Sequence, residues 1–127
     1  MVLVDTSVWI RFMYGREPYL HDLNRLLELG QVVGHELVYG ELLIGDPGGQ
    51  RTLLENYRHL RQAAMIPHDE IVHFVNHRRL HGRGVGWIDI HLLASALVGG
   101  FQFWTADERC AAVAQELGVG YRKRPVA

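Results

Sequence analysis

The composition and charge of the 127-residue chain limit the kinds of protein it can be. Apolar residues make up 48% and charged residues 21%, without repeats or charge blocks, which excludes disordered, collagen-like and coiled-coil proteins. The length predicts one domain, residues 1–127, because a chain of this size buries one sizeable core. A formal net charge of −1 leaves no overall positive field for nonspecific binding to nucleic acid.

The N-terminal sequence and the cysteine content predict a cytoplasmic protein. MVLVDTSVWI lacks a basic leader, and no apolar run reaches the roughly 18 residues that a membrane span requires, so we expect no membrane association. A single cysteine, Cys110, excludes an internal disulfide and agrees with a reducing compartment. We expect Cys110 to pack in the core.

The first half of the chain alternates short apolar runs with segments of helical spacing. MVLV predicts a buried parallel strand that stops at the polar sequence DTS, where a helix begins near Ser7. Leucines at helical spacing predict a helix over 19–29, and Gly30 ends it before a short strand over 31–34. A compact helix is predicted over 36–44, followed by the breaker GDPGG.

The second half continues this alternation. An amphipathic helix is predicted over 51–64 and a remnant of a strand at 66–67. The helix predicted over 69–81 turns Ile71, Val72 and Val75 inward and ends in the loop GRGVG. The remaining predicted elements are a helix over 88–98, an aromatic strand over 101–105, a helix over 107–117 and a strand over 119–122. Strands that alternate with helices across short links indicate an α/β fold, an open parallel sheet with helices on both faces.

Four acidic residues occupy unusual positions in this pattern. Asp5 and Asp107 each follow a predicted strand, and in parallel sheets ligands collect beyond the carboxyl ends of the strands. Glu41 and Asp89 lie among core-facing positions of apolar helices. Two carboxylates about 4 Å apart repel by roughly 4 kcal/mol at an effective dielectric of 20, so such a cluster must gain protons or bind a cation. Oxygen ligands favour Mg²⁺ or Mn²⁺.

Each acid also has a purely structural explanation. Asp5 could cap the helix that follows it, and Asp89 could cap its helix or face the helix dipole. The sequence TADE at 105–108 matches a capping box, which leaves Asp107 as a favourable charge in a first helical turn. For Glu41, in the middle of a helix, the alternative is an ion pair with an arginine. A shared metal site explains all four acids at once.

Four segments carry these acids in a specific context: VDTSVWI, the GEL of GELLIG, GWIDIHLLASAL and TADERCAAVAQELGV. In order and spacing, over residues 2 to about 121, they resemble PIN-domain ribonucleases, and most closely the VapC toxins of prokaryotic toxin–antitoxin pairs. The resemblance implies a three-layer α/β/α fold with a short parallel central sheet. It also implies a Mg²⁺- or Mn²⁺-dependent endoribonuclease whose metal is held by Asp5, Glu41, Asp89 and Asp107.

The resemblance assigns supporting roles and shows one departure. Thr6, Ser7 and Thr105 would orient the carboxylates or the water at the metal, and the products would carry a 5′-phosphate and a 3′-hydroxyl. Many family members have a second acid and then an aromatic residue in the last segment, where this sequence has Arg109 and Cys110. This departure puts a second metal ion in doubt, although Glu108 could partly replace the missing acid.

Several basic residues are candidates for contact with RNA. One strip lies just before Asp89 in the sequence and contains Arg78, Arg79 and Arg83 with His77 and His81. A second strip contains Arg51, Arg58 and Arg61, and further candidates are Arg11 and either Trp9 or Trp87. The alternative for each strip is a solvated helix face, and the alternative for Trp9 is core packing.

Three other functions are compatible with parts of the sequence. His73, His77 and His81 recur at i, i+4 and i+8, a spacing that could hold zinc or nickel, although no H-E-x-x-H signature accompanies them. A PIN-like scaffold that only binds proteins is disfavoured because all four acids are present. A structure-specific DNA nuclease is disfavoured because the chain has no room for the extra segments such enzymes use.

The resemblance also implies partners. A VapB-type antitoxin would hold the protein inactive, with a tail that wraps the toxin and often places a basic residue near the acids. DNA would be bound only through that antitoxin. A homodimer is implied as well, with its interface around residues 36–64.

Overall fold

A computed structural model, which describes residues 1–123, contains a parallel sheet of four short strands. The strands are β1 (Val2–Val4), β2 (Val32–Gly34), β3 (Arg61–Gln62) and β4 (Gln102–Trp104). Their order is β3-β2-β1-β4, and every neighbouring pair is parallel. β1 is therefore central, and its carboxyl end leads directly to Asp5.

Seven helices connect the strands within residues 1–123. They are α1 (Thr6–Met13), α2 (Tyr19–Glu28), α3 (Glu36–Gly45), α4 (Arg51–Tyr57), α5 (His68–Arg78), α6 (Trp87–Gly99) and α7 (Glu108–Glu116). The sheet is the middle layer of a three-layer α/β/α fold, which confirms the predicted fold class. None of the helices in this part of the chain is long and apolar enough to cross a membrane.

The core explains why β1 and α6 are so apolar. All three residues of β1 are buried, as in parallel strands that are covered on both faces. In α6 the seven consecutive residues 90–96 are buried, so this helix is enclosed on all sides and not on one stripe alone. Cys110 is buried at 0% exposure, as predicted. Asp89 thus lies one position before the fully enclosed part of α6.

The segment after α3 differs from its prediction. The helix predicted over 51–64 ends at Tyr57, and residues 61–62 pair with β2 as strand β3. The reason is a tertiary contact, because the buried Tyr57 hydroxyl accepts a 2.8 Å hydrogen bond from the backbone N–H of His35, directly after β2. This contact turns the chain back to the open edge of β2. Residues 66–67, predicted as a remnant of a strand, are irregular, although Ile66 is buried.

Two further predictions need correction. Val72 is 40% exposed, and the inward stripe of α5 consists of Ile71, Phe74 and Val75, which follow the i, i+3, i+4 spacing of one helix face. The strand predicted over 119–122 is reduced to a single parallel bridge between Gly120 and Phe103.

Candidate metal centre

Asp5 lies at the carboxyl end of β1, and two hydroxyl groups hold its carboxylate. Ser7 donates to Oδ2 at 2.6 Å and Thr105 donates to the same atom at 2.8 Å. The residue is 4% exposed. Although Asp5 occupies the N-cap position of α1, its side chain makes no capping hydrogen bond. The capping explanation therefore does not account for this carboxylate.

Glu41 is held from α1. The Thr6 hydroxyl donates a 2.6 Å hydrogen bond to Oε1 of Glu41, whose side chain is half-buried in α3. In the part of the chain that the structure describes, no lysine or arginine lies within salt-bridge distance of this carboxylate. The arginine pair considered as its alternative is thus not observed.

Asp107 has a structural role of its own. Its Oδ1 accepts a 3.0 Å hydrogen bond from the backbone N–H of Cys110, so Asp107 is the N-cap of α7. The N-cap is therefore Asp107 and not Thr105, so the capping box predicted from Thr105 and Glu108 is not the one observed. Thr105 instead binds Asp5 and accepts a 3.1 Å hydrogen bond from the N–H of Asp107. Capping does not exclude a ligand role, because it uses only one carboxylate oxygen.

Asp89 is the third residue of α6, and its environment opposes ionisation. Burial first, and then the charges of Asp5, Glu41 and Asp107, raise the pKa of Asp89 to about 6. A backbone hydrogen bond from Gly86, the N-cap of α6, acts in the opposite direction. This contact agrees with the capping role considered for Asp89, and G-x-x-D at 86–89 has the three-residue offset of a capping box. The other three predicted acids all act on Asp89, so the structure brings the four together electrostatically.

Three helix N-termini also meet at this site. Asp5 and Asp107 are the N-cap residues of α1 and α7, and Asp89 lies in the first turn of α6. The partial positive charge at helix N-termini stabilises nearby carboxylates and also attracts phosphate. The partial positive charges of these helix N-termini therefore offset part of the negative charge of the acids.

Three carboxylates share one pattern of hydrogen bonding. Asp5 Oδ2, Glu41 Oε1 and Asp107 Oδ1 are bound by the protein, whereas no hydrogen bond within residues 1–123 reaches the second oxygen of any of them. A carboxylate held through one oxygen keeps its orientation and still offers the other to an external partner.

The donor chemistry fits a hard divalent cation. Carboxylate oxygens surrounded by hydroxyl groups suit Mg²⁺ or Mn²⁺ better than zinc. Among residues 1–123, no group of three or more His, Cys, Asp or Glu side chains is positioned to hold a metal ion in this conformation. Mg²⁺ usually keeps several waters and is bound by one or two carboxylates, so its site need not contain three direct protein ligands. The ligand roles of the four acids stay a prediction, as does the role of the exposed Glu108 at the start of α7.

The arginines of the first predicted RNA strip differ in how readily they could contact RNA. Arg78 and Arg79 are exposed at the end of α5, where Arg79 adopts a left-handed conformation with φ 54°. Arg83 makes a bidentate ion pair with Glu116 at 2.8 and 2.9 Å, so an RNA phosphate would have to displace that carboxylate. The strip retains two unpaired arginines within the described residues.

The other candidates for RNA contact differ in position and in exposure to solvent. Arg11 contacts one of the residues that hold Asp5, since its Nη1 donates to the backbone carbonyl of Ser7 at 2.9 Å. Trp9 is 2% exposed and packs in the core, whereas Trp87 is 47% exposed at the start of α6. The second arginine strip does not lie on one helix, because Arg51 begins α4 and Arg58 is its C-cap, while Arg61 belongs to β3.

The histidines of α5 do not form a metal site in the described part of the chain. His73 and His77 stack with ring centroids 5.5 Å apart, and His81 lies beyond the end of the helix. No group of three potential ligands in residues 1–123, these histidines included, is positioned to hold a metal ion. The histidine alternative therefore gains no support.

Comparisons with known proteins agree with this architecture. A family model described as the PIN domain matches residues 2–116. Two relatives, both named Ribonuclease VapC32 and found in Mycobacterium tuberculosis strains CDC 1551 / Oshkosh and ATCC 25618 / H37Rv, are each 42% identical over 120 residues. The alignment covers 94% of this chain and 94% of each relative. The chain therefore belongs to the PIN-domain family. Within that family it is of the VapC type, which confirms the resemblance based on the motifs.

Proposed function

We propose that this protein is the toxin of a type II toxin–antitoxin pair and acts as a Mg²⁺- or Mn²⁺-dependent endoribonuclease. The observation that carries the proposal is Asp89, whose pKa rises to about 6 because it is buried beside Asp5, Glu41 and Asp107. A bound divalent cation would remove the electrostatic cost of this arrangement. The name of the two relatives, which are 42% identical, supports the same class of reaction.

The four acids would hold the cation, and the remaining residues would fix the acids. The chemistry supplied by a cation bound there is activation of a water for in-line attack on a phosphodiester and stabilisation of charge on the phosphoryl oxygens. Ser7 and Thr105 hold Asp5, Thr6 holds Glu41, and the N–H of Cys110 holds Asp107. We expect products with a 5′-phosphate and a 3′-hydroxyl.

Cleavage of single-stranded RNA with Mn²⁺ tests the proposal. We expect the wild-type protein to cut, EDTA to stop the reaction, and Asp89→Asn to slow it by more than about a hundredfold, beyond the usual effect of an outer-shell residue. Asp69→Asn is the matched control, because Asp69 is an exposed acid in the first turn of α5, outside the site. Wild-type rates in the Asp89→Asn protein, or cleavage that resists EDTA, would contradict the proposal. Sequencing of the new 5′ ends identifies the RNA that is cut.

We also infer a VapB-type antitoxin as partner. Ile10 and Tyr14, 41% and 77% exposed, line a groove of about 210 Å³ that reaches Glu41, and Leu43 and Ile44 are exposed next to it. Contiguous exposed apolar residues mark protein contacts, and the acid at one end of the groove suits a basic residue of the partner. DNA contact would belong to the antitoxin.

Co-purification tests this partner. A candidate antitoxin encoded next to this gene is expressed together with the wild-type chain or with Ile44→Asp, which places a charge on the apolar rim. We expect the substitution to abolish co-purification while RNA cleavage by the free chain is retained. Undiminished co-purification would contradict the assigned surface. A homodimer with its interface around 36–64 stays a prediction, which light scattering of the purified chain checks.

A further inference from the structure

A second cavity lies at the opposite edge of the sheet from the acids. It has a volume of about 370 Å³, and Val2, Gln31 and Gln102 in its lining place it at the amino ends of β1, β2 and β4. Three basic side chains also line it: Arg25, Arg122 and Lys123. A chain with a net charge of −1 thus places three of its 13 lysines and arginines around one cavity.

Within residues 1–123, two of these three positive charges have no acidic partner. Lys123 pairs with the buried carboxylate of Asp22 at 2.8 Å. For Arg25 and Arg122, no carboxylate of residues 1–123 lies within salt-bridge distance, and Arg122 makes only a 3.4 Å side-chain hydrogen bond to Gln115. Two guanidinium groups without acidic partners favour an anionic ligand, and their planar donors suit phosphate oxygens.

A row of aromatic rings connects this basic cavity to the acid site. The rings of Tyr19 and Trp104 stack with centroids 5.9 Å apart, and Trp104 lies 5.0 Å from Tyr121, which lines the cavity. At the other end, the Arg11 guanidinium lies 5.7 Å from the Tyr19 ring, and Trp104 immediately precedes Thr105 of the acid site. Tyr19, Trp104 and Tyr121 are all half-buried, so each residue keeps some solvent-exposed surface.

From this arrangement we propose that a single-stranded segment of the RNA substrate runs from the acid site along the aromatic row and places a backbone phosphate in the basic cavity. The inference rests on the proposed ribonuclease function, because it describes the path of that enzyme's substrate. Stacking on aromatic rings together with cations along the backbone is the usual means of holding single strands without reading their sequence. The segments that build the path are distant in the chain, so no local motif reveals it.

RNA binding to the non-cleaving Asp89→Asn protein tests the path. Its affinity is compared with that of the same protein carrying Arg25→Ala and Arg122→Ala, by fluorescence anisotropy across a range of salt concentrations. A single-stranded RNA of about 16 nucleotides is long enough to follow the whole path, whereas one of about 4 nucleotides tests the acid site alone. For the long RNA we expect about tenfold weaker binding and a salt slope reduced by about 0.7, which corresponds to one lost phosphate contact. The short RNA should change by less than about twofold.

Two controls separate the path from a general change in charge. Arg25→Lys with Arg122→Lys keeps both positive charges and should hold the affinity within about threefold. Asn56→Asp lowers the net charge by one on the exposed face of α4, away from the path, and should change the affinity by less than about twofold because salt screens distant charges.

The outcomes distinguish this inference from the proposed function. Unchanged affinity and salt slope in the alanine variant overturn the path, and so does an equal loss for the long and the short RNA. Failure of the ribonuclease proposal has a separate signature, because the wild-type protein would then leave RNA intact in the presence of Mn²⁺. The RNA-binding comparison therefore supports or overturns the path whatever the result of the cleavage assay.

Discussion

The hydroxyl of Thr6 donates a 2.6 Å hydrogen bond to Oε1 of Glu41, although 35 positions separate the two residues. Thr6 is the first residue of α1, directly after Asp5, and Glu41 lies within α3. No cation of the described chain pairs with Glu41, so this hydrogen bond is the polar contact that orients its carboxylate. The two residues that follow β1 thus supply an acid of the site and the hydroxyl that positions another.

Thr6→Val keeps the shape of the side chain and removes the hydroxyl. We expect RNA cleavage to fall by about 10- to 100-fold, the usual effect of losing an outer-shell partner of a metal ligand, with a higher Mn²⁺ concentration needed for half-maximal rate. Thr6→Ser retains the donor and should keep most of the activity. Equal rates for the Val and Ser variants at every Mn²⁺ concentration would show that the contact has no role in the site.

Asp89→Asn should stabilise the metal-free protein at neutral pH. The pKa of Asp89 is about 6 in the folded state and 3.8 when unperturbed, so the folded state binds the proton more tightly and stability falls as the pH rises between these values. Asparagine does not ionise, so Asp89→Asn removes this loss of stability. Discounted for the partly exposed carboxylate, the expected gain in free energy of unfolding is about 1–2 kcal/mol at pH 7.5 and close to zero near pH 4.

Urea denaturation in EDTA at the two pH values measures this gain. Asp69→Asn serves as the control, since the exposed carboxylate of Asp69 lies outside the acid site. An Asp89→Asn protein that is no more stable than wild type at pH 7.5 would refute the electrostatic strain that we assign to the cluster.

Buried His35 should make the protein sensitive to acid. Its Nδ1 accepts from the N–H of Leu37, and its Nε2 lies 3.0 Å from Ser95 Oγ, which donates to a backbone carbonyl. These contacts suit a neutral ring. Burial first, and then the charge of His91, lower the pKa of His35 from 6.5 to about 4. Because the unfolded state takes up the proton first, stability should fall by up to about 3 kcal/mol between pH 6.5 and 4.

Denaturation from pH 7 to pH 4 in the Asp89→Asn background isolates this effect, since Asp89 acts in the opposite direction. His35→Asn retains a capping acceptor and does not titrate, so its stability should depend less steeply on pH even if it is lower overall. Identical pH slopes for the two proteins would exclude His35 as the source of the acid sensitivity.

Tyr57→Phe should destabilise the fold without changing the acid site. The Tyr57 hydroxyl accepts the N–H of His35 at 2.8 Å in a buried position, so its removal leaves a buried donor unpaired, which costs about 1–3 kcal/mol. Urea denaturation at pH 7.5 gives the value. Tyr14→Phe is the matched control, because Tyr14 is 77% exposed and the change should stay within about 0.5 kcal/mol. A loss of similar size in both variants would contradict the assignment.

Local patterns in the sequence predicted the fold class and most elements, because helical and strand spacing depends on neighbouring residues. The prediction failed where a distant contact ends an element. Helical spacing continues past Tyr57, yet the bond to His35 and the open edge of β2 make residues 61–62 a strand. Val72 was misplaced because the apolar stripe of α5 includes Phe74, which the prediction left out.

By itself, the sequence identified the family and singled out four acids as candidate ligands, since each acid lies in a short segment whose order and context can be recognised without coordinates. Only the tertiary structure decided which group holds each carboxylate, as when Thr105 binds Asp5 across 100 positions. It also decided that Arg25 and Arg122 share a cavity with Tyr121. Such relationships depend on how separate segments pack across the sheet, and no spacing along the chain encodes them.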